Sequence, residues 1–196
     1  MLRALLASVV AIVVFTAALG FGYPALMTAF GQAAFPNQAN GSLIVRNGKV
    51  FGSRLAAQEF TSPLYFHERP SATSPAYNAA FTTFSNLGPT SPVLAKLVRT
   101  NAQAILKLES PYNPGLTIHD IPVDAVVPSG SGIDPDISPA YAALQSRRIA
   151  AVRHLPLATV QRLIAENTDG RTFGFLGEPG VNVLELNLAL DRLGGK

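Results

Sequence analysis

The sequence predicts an α/β protein, with one N-terminal transmembrane helix over residues 1–30 followed by a single mixed α/β extracytoplasmic domain over residues 31–196. Three observations carry that expectation. Arg3 is the only charged side chain before Arg46, and the run from Ala4 to about Tyr23 is almost wholly apolar. The chain has 196 residues, so about 160 remain beyond that run, enough for one ordinary domain and too few for two sizeable cores. Both periodicities then occur: helical spacing at Leu94, Leu97, Val98, Ala102, Ile105 and Leu106, and alternation at Ile121, Val123, Ala125 and Val127.

A helix needs roughly 20 apolar residues to cross a hydrocarbon core about 30 Å thick. The N-terminal run meets that length and exceeds the apolar core of a signal peptide, which favours a retained span. Cleavage near Gly31-Gln32-Ala33 is the alternative reading. Arg3 and the amino terminus place the start of the chain in the cytoplasm, hence a single-pass protein of the cell inner (plasma) membrane whose soluble part lies outside. Ala4, Ser8, Ala11, Ala18 and Gly22 share one face of an ideal helix, where small residues let another helix approach closely. Pro24 is expected to kink or end the helix.

The exit from the membrane, residues 32–40, is polar. Ser42–Val45 and Lys49–Phe51 flank Asn47-Gly48, a hairpin signal, because Asn-Gly adopts the positive φ angles of a tight turn. Residues 61–89 show no sustained period and read as a long ordered loop, a kind of segment that is often functional. Ser91-Pro92 and Ser138-Pro139 each combine a capping hydroxyl with proline at the first helical position, predicting helices that end near Pro111 and His154. A shorter helix is expected from about Leu157 to Asn167, and a turn-rich passage from Gly170 to Gly180. Residues 118–127 read as a strand. Residues 181–190 are ambiguous: strict alternation over Leu184–Leu190 leans to a strand, whereas the Leu, Glu and Ala content suits a helix.

The totals exclude several classes of chemistry. No cysteine is present, so disulfides, thiol catalysis and Cys-ligated metals are ruled out. The net charge of +3 includes Arg3 and forms no basic block, which argues against nucleic acid. Ser129-Gly-Ser-Gly132 resembles a phosphate cradle but lacks the Gly-x4-Gly-Lys pattern, and Asp134 and Asp136 follow it; a connection held by its own Ser and Asp side chains is the simpler reading. Asp120, Asp124, Asp134, Asp136 and His119 offer hard-cation ligands without the spacing of a calcium loop, so no metal is assigned. Ser131, His67 and Asp124 make a paper triad with no Gly-x-Ser-x-Gly elbow. Asn86, Asn182 and Asn187 lie among apolar residues and are expected to be buried amides that pin loops to the core.

Several segments, in order, resemble the C subunit of the Kdp-type potassium-transporting P-type ATPase. They are Gly41-Ser-Leu-Ile44, Tyr65-Phe-His-Glu-Arg-Pro-Ser-Ala72 with Tyr77-Asn78, Ser85-Asn-Leu-Gly-Pro89, and Ile121-Pro-Val-Asp124. Further on come Ser129–Pro135 with Ile137-Ser-Pro139, Gly174-Phe-Leu-Gly-Glu-Pro179 and Val181–Asp191. The resemblance spans essentially the whole chain, and its specificity lies in the ordered combination. Departures fall at Leu55-Ala-Ala-Gln58, at Thr83-Phe84, and at Asp136, where the family has histidine.

The resemblance implies an accessory subunit, itself no enzyme, of an ATP-driven potassium uptake complex. Its partners would be a channel-like potassium-binding subunit, a P-type ATPase subunit and a very small helical subunit. ATP and potassium would be handled by the complex, with no cofactor assigned to this chain. The family is also described as a catalytic chaperone that raises ATP affinity. Since the soluble part is expected outside and ATP is cytoplasmic, such an effect would pass through the membrane helix or subunit packing. Interface or structural loop candidates are His67, Arg69, Ser71, Asn78, Asn86, Ser129, Ser131 and Asp134. A membrane-anchored extracytoplasmic enzyme using the same loops is the alternative.

Overall fold

A computed structural model describes residues 1–46 and 48–194. The chain divides into two compact units, Met1–Phe51 and Gly52 onward.

The first unit is dominated by one apolar helix, Leu2–Ala34, long and apolar enough to cross a membrane. It comprises α1 (Leu2–Phe15), a π-helical segment (Thr16–Gly22) and α2 (Tyr23–Ala34). Pro24 does not end it. Proline lacks the N–H for an i−4 bond and its ring crowds that carbonyl. The preceding turn widens instead, and the Tyr23 N–H bonds to the Ala18 carbonyl five residues back. At 1.5 Å per residue the helix extends roughly 50 Å, well beyond a 30 Å hydrocarbon core. After a short α3 (Pro36–Ala39), β1 (Leu43–Arg46) and β2 (Lys49–Ser53) pair as the expected hairpin. Gly48 holds φ +72° at its turn, while Asn47 lies outside the described residues.

The second unit is a helical layer with a small sheet. Helix α4 (Pro92–Glu109) starts at Ser91, whose side chain accepts from the Leu94 N–H, and buries Ala102 and Ile105. Helix α5 (Pro139–Val152) starts likewise at Ser138, and α6 (Leu157–Glu166) follows. Strands β3 (Asp136–Ile137), β4 (Thr168–Asp169) and β5 (Gly180–Asn182) form an antiparallel sheet in the order β3-β5-β4. Ile137 and Thr168 both face Val181 across it. The core gathers Phe66, Ile137, Ile149, Val160, Val181, Val183, Leu186 and Leu190.

Two expected strands take another form. Residues 118–127 make two 3₁₀ turns, Ile118–Asp120 and Val123–Ala125, on either side of Pro122. The Asp120 carboxylate accepts from both the backbone N–H and the hydroxyl of Thr117, a local capping box that competes with extension. Residues 183–192 form α7 (Val183–Arg192), capped where the Asn182 side chain accepts from the Glu185 N–H. Val183, Leu184, Leu186, Asn187, Leu188 and Leu190 are all buried. Its apolar residues fill the alternation at Leu184, Leu186, Leu188 and Leu190 as well as the helical stripe at Val183, Leu186 and Leu190, so the sequence carries both periods at once.

Candidate functional site

The long segment between β2 and α4 carries most of the candidate residues. It has no helix or strand, so its buried backbone groups need side-chain partners. Two amides supply them. Asn187 of α7 accepts from the Phe66 N–H at 2.8 Å and donates to the Phe66 carbonyl at 3.0 Å. Gln145 of α5 does the same for His67, accepting at 2.8 Å and donating at 3.1 Å. Arg148 donates to the carbonyls of Pro63 and Tyr65 and to Gln145 Oε1, and pairs with Glu109 of α4 at 2.7 Å, both side chains buried. Burial raises the Glu109 carboxyl and Arg148 opposes that shift. Arg153 donates to the Leu64 carbonyl and to Asp191, and lies 4.8 Å from the centre of the Tyr65 ring. Asn187 thus holds its loop as expected, and Asn182 donates to the Arg54 carbonyl at 3.0 Å, but Asn86 is exposed, with φ +51°.

This framework fixes two clefts. The first, of about 390 Å³, is lined by Arg69, Asp124, Asp134, Asp136, Asp169 and Glu178 among others. Every carboxylate there has a partner. Asp124 accepts from the Ser138 N–H and hydroxyl at 2.7 and 2.9 Å. Asp134 pairs with Arg69 at 2.7 Å, Asp136 accepts from Asn182 at 3.0 Å, Asp169 pairs with Arg54 and Glu178 with Arg171. Burial raises the Asp136 carboxyl despite the Asn182 bond. The proposed hard-cation ligands therefore come together only in part: Asp120 is engaged with Thr117 outside the cleft, and no metal-binding group of three or more such residues exists among the described residues.

The second cleft, also about 390 Å³, lies between the long loop, α4 and α5, and is lined in part by Glu59, Phe60, His67, Glu68, Tyr77 and Tyr141. The His67 ring Nε2 is 3.0 Å from the Ser62 carbonyl, to which it donates, and burial lowers the imidazole's pKa, with Arg148 adding to the effect. Glu68 is buried, with both carboxylate oxygens sealed from solvent. Burial pushes its carboxyl well above the ordinary value of 4.5, with Asp134 and Asp136 adding to the shift and a hydrogen bond from the Gln58 backbone offsetting part of it. The Tyr77 hydroxyl rises to about 12, first through burial and then through Glu68 and Glu59.

The remaining candidates shape the loops. Ser71 donates to the Gly132 carbonyl at 2.6 Å and accepts from the Thr73 and Tyr77 N–H groups. The Asn78 side chain accepts from the Ala80 N–H. Ser129 accepts from the Gly132 and Asp134 N–H groups and Ser131 from the Ile133 N–H, so the supposed phosphate cradle is filled by its own hydroxyls. A Cβ on Gly132 would meet the Thr83 carbonyl at 2.7 Å, which accounts for glycine there. Ser131, His67 and Asp124 bond to three separate sets of partners and form no relay. Sequence reasoning missed Gln145, Arg148, Glu109 and Glu68 as key residues; a buried Arg–Glu pair between helices leaves no spacing signal.

In the first unit, Ala4, Ser8 and Ala11 lie in α1 and Ala18 and Gly22 in the π segment, all exposed. The wider turn displaces Gly22 around the axis relative to Ala4 by part of a turn. Ser8 donates to the Ala4 carbonyl at 2.9 Å.

Comparison with known proteins adds a family. The family model described as K+-transporting ATPase, c chain (KdpC) matches residues 5–192. The potassium-transporting ATPase KdpC subunit of Methylococcus capsulatus is 52% identical over 183 residues, covering 93% of this chain and 94% of that one. Proteins of the same name from Burkholderia orbicola and Acidobacterium capsulatum are each 53% identical, covering 93% and 89% of this chain and 93% and 90% of their own. With a whole-length family match and relatives at this identity, the chain belongs to the KdpC family, the c chains of K+-transporting ATPases.

Proposed function

We propose that the chain is the non-catalytic accessory subunit of an ATP-driven potassium uptake complex, anchored by its N-terminal helix with its soluble domain outside the inner membrane. The single observation that carries this reading is the family match over residues 5–192. In this reading the chain stabilises assembly of the channel-like subunit, the P-type ATPase subunit and the very small helical subunit, which themselves handle potassium and ATP. An effect on ATP affinity, if the soluble domain is outside, reaches the ATPase subunit through helix packing rather than through contact with nucleotide.

Two surfaces support a docking role. The helix exposes large apolar side chains along its length, and its small residues allow close approach of a neighbour. The soluble domain exposes Phe173, Phe175 and Leu176 together on one tight turn, the kind of apolar projection that marks an interaction site. The loops bearing His67, Arg69, Ser71 and Asn78, then Asn86, and then Ser129, Ser131 and Asp134 stand as the further candidate contacts or supports.

The test is purification of the complex with and without this chain. Loss of assembly and of potassium-stimulated ATPase activity in its absence is expected; normal assembly and activity would sink the reading. Within the span, Ala11→Leu and Ala18→Leu are made separately. Weakened assembly with intact membrane insertion is expected from at least one of them, and unchanged assembly by both makes the segment a plain anchor.

A further inference from the structure

The apolar helix holds a backbone group that its own ladder leaves open. At α spacing the Leu19 carbonyl would accept from the Tyr23 N–H, and at π spacing from residue 24. The Tyr23 N–H is bonded to the Ala18 carbonyl instead, and residue 24 is proline, which has no N–H. A Ser or Thr three or four residues further on can reach back to a carbonyl, as Ser8 does to Ala4 at 2.9 Å. Positions 22 and 23 are glycine and tyrosine, so the chain has no such hydroxyl for Leu19.

Depth makes this carbonyl matter. The helix runs from Leu2 to Ala34, and any stretch of about 20 residues taken from it for the hydrocarbon core contains Leu19. Water is scarce there, so polar backbone groups are satisfied within protein. Access to the carbonyl is also open. Helical side chains fold back over the preceding turn, and the residue three positions on from Leu19 is Gly22, which has none. The helix itself does not require glycine at that place. Gly22 has φ −61°, which any residue adopts, and a Cβ built on it would lie 3.5 Å from the Ala17 carbonyl oxygen, an ordinary contact. The missing side chain therefore leaves room for something outside the helix.

We propose that the Leu19 carbonyl is an interhelical acceptor, taking a hydrogen bond from a neutral hydroxyl or carboxamide side chain on a membrane helix of a partner subunit. A neutral donor is specified because a charge at this depth is costly. Pro24 is then a recognition residue, since it withholds the N–H that would close the ladder. The inference rests on the accessory-subunit reading, which puts other membrane helices beside this span. A second copy of this chain and water are the competing donors.

The experiment uses the full chain in lipid bilayers, alone and in the assembled complex, with carbon-13 at leucine carbonyls and nitrogen-15 at glycines. Carbon–nitrogen correlation by solid-state NMR then shows only Leu-Gly peptides, and the Leu19–Gly20 signal is the one lost in Leu19→Ile. In the chain alone, the Leu19 carbonyl is expected at the position of an unbonded carbonyl. On assembly it is expected to move downfield, as hydrogen-bonded carbonyls do. Pro24→Ala supplies the missing N–H: its Leu19 signal is expected at the bonded position in the chain alone, and complex formation is expected to weaken about threefold to tenfold, with membrane insertion and helix content retained.

A Leu19 signal already at the bonded position in the unsubstituted chain alone overturns the proposal; it identifies a second copy as donor if dilution in lipid moves it, and water if dilution does not. A signal unmoved by assembly, or undiminished assembly of Pro24→Ala, overturns it as well. Absence of the chain from the complex overturns both this inference and the accessory-subunit reading, whereas entry into the complex with an unmoved signal overturns this inference alone.

Discussion

Residues 62–67 and 171–177 are both irregular and aromatic, yet their fates are opposite. Phe66 is fully buried, whereas Phe173 is 84% exposed. The difference lies in where each backbone finds its hydrogen bonds. The second segment satisfies itself: the Thr172 N–H and carbonyl bond to the Leu176 carbonyl and N–H at 2.9 and 3.0 Å, and Arg171 pairs with Glu178 at 2.6 Å across its base. Needing nothing from the core, it is free to project its rings. The first segment makes few such local bonds and takes its partners from Gln145, Arg148, Arg153 and Asn187. Those bonds draw the chain inward and carry Phe66 into the core. Ring burial here follows backbone satisfaction as much as hydrophobicity.

The contrast can be broken most severely at Arg148. Arg148→Met strands Glu109 as a buried unpaired carboxylate and frees the loop carbonyls, and is expected to cost about 3–5 kcal/mol in denaturant unfolding of the full chain. Combining it with Glu109→Leu should recover most of that loss, because two packed apolar side chains replace a costly buried pair. A single-variant loss below about 1 kcal/mol would mean that the ion pair does not hold the loop. Next comes Asn187→Leu, which conserves size but leaves the N–H and carbonyl of Phe66 unpaired. The expected loss is about 2–4 kcal/mol, with hydrogen exchange at the Phe66 amide rising sharply. Unchanged protection there would show that Asn187 is only filling space.

A pH series tests the loop's buried carboxyl, Glu68. Glu68 holds its proton in the folded chain well above the ordinary carboxyl value of 4.5. Between those two values the folded state binds more protons than the unfolded state, so stability falls as pH rises through the window. The steepest contribution is about 1.4 kcal/mol per pH unit. Glu68→Gln should remove this contribution, giving a variant that gains on the parent as pH rises and equals it in slope below the ordinary carboxyl range. Parallel curves throughout would show that Glu68 ionises normally. The smallest effect belongs to the exposed turn. Phe173 sits at φ +54°, a left-handed conformation that a bulky residue adopts only under strain. Phe173→Asn should raise stability by about 1 kcal/mol while weakening complex assembly. Assembly unaffected by the loss of the ring would remove this turn from the candidate interfaces.

Local rules written in the sequence were the legible ones. The Ser91-Pro92 and Ser138-Pro139 caps placed α4 and α5, because a cap depends on neighbours three residues apart. The apolar N-terminal run placed its helix, although the length beyond Pro24 was not visible without the π turn that accommodates proline. Elements shaped by tertiary surroundings were misread. α7 carries an alternation along with its helical stripe and so looked like a strand, and residues 118–127 alternate by accident around Pro122. For the sites, the Ser129–Asp134 loop could be read as self-bonded from its composition. The pairing of Glu109 with Arg148 and the burial of Glu68 could not, since each depends on which residues meet from distant parts of the chain.

The double amide clasp on Phe66 and His67 has a consequence for engineering. Gln145 and Asn187 each offer one peptide backbone unit what a neighbouring strand would have offered, an acceptor and a donor side by side. The segment's conformation is thus encoded on two helices rather than in its own residues. Such a loop is not a transferable module. Grafted onto another scaffold with its sequence intact it would lose its shape, whereas quite different residues could occupy 66 and 67 here provided the two amides remain and the side chain at 66 still fills the core.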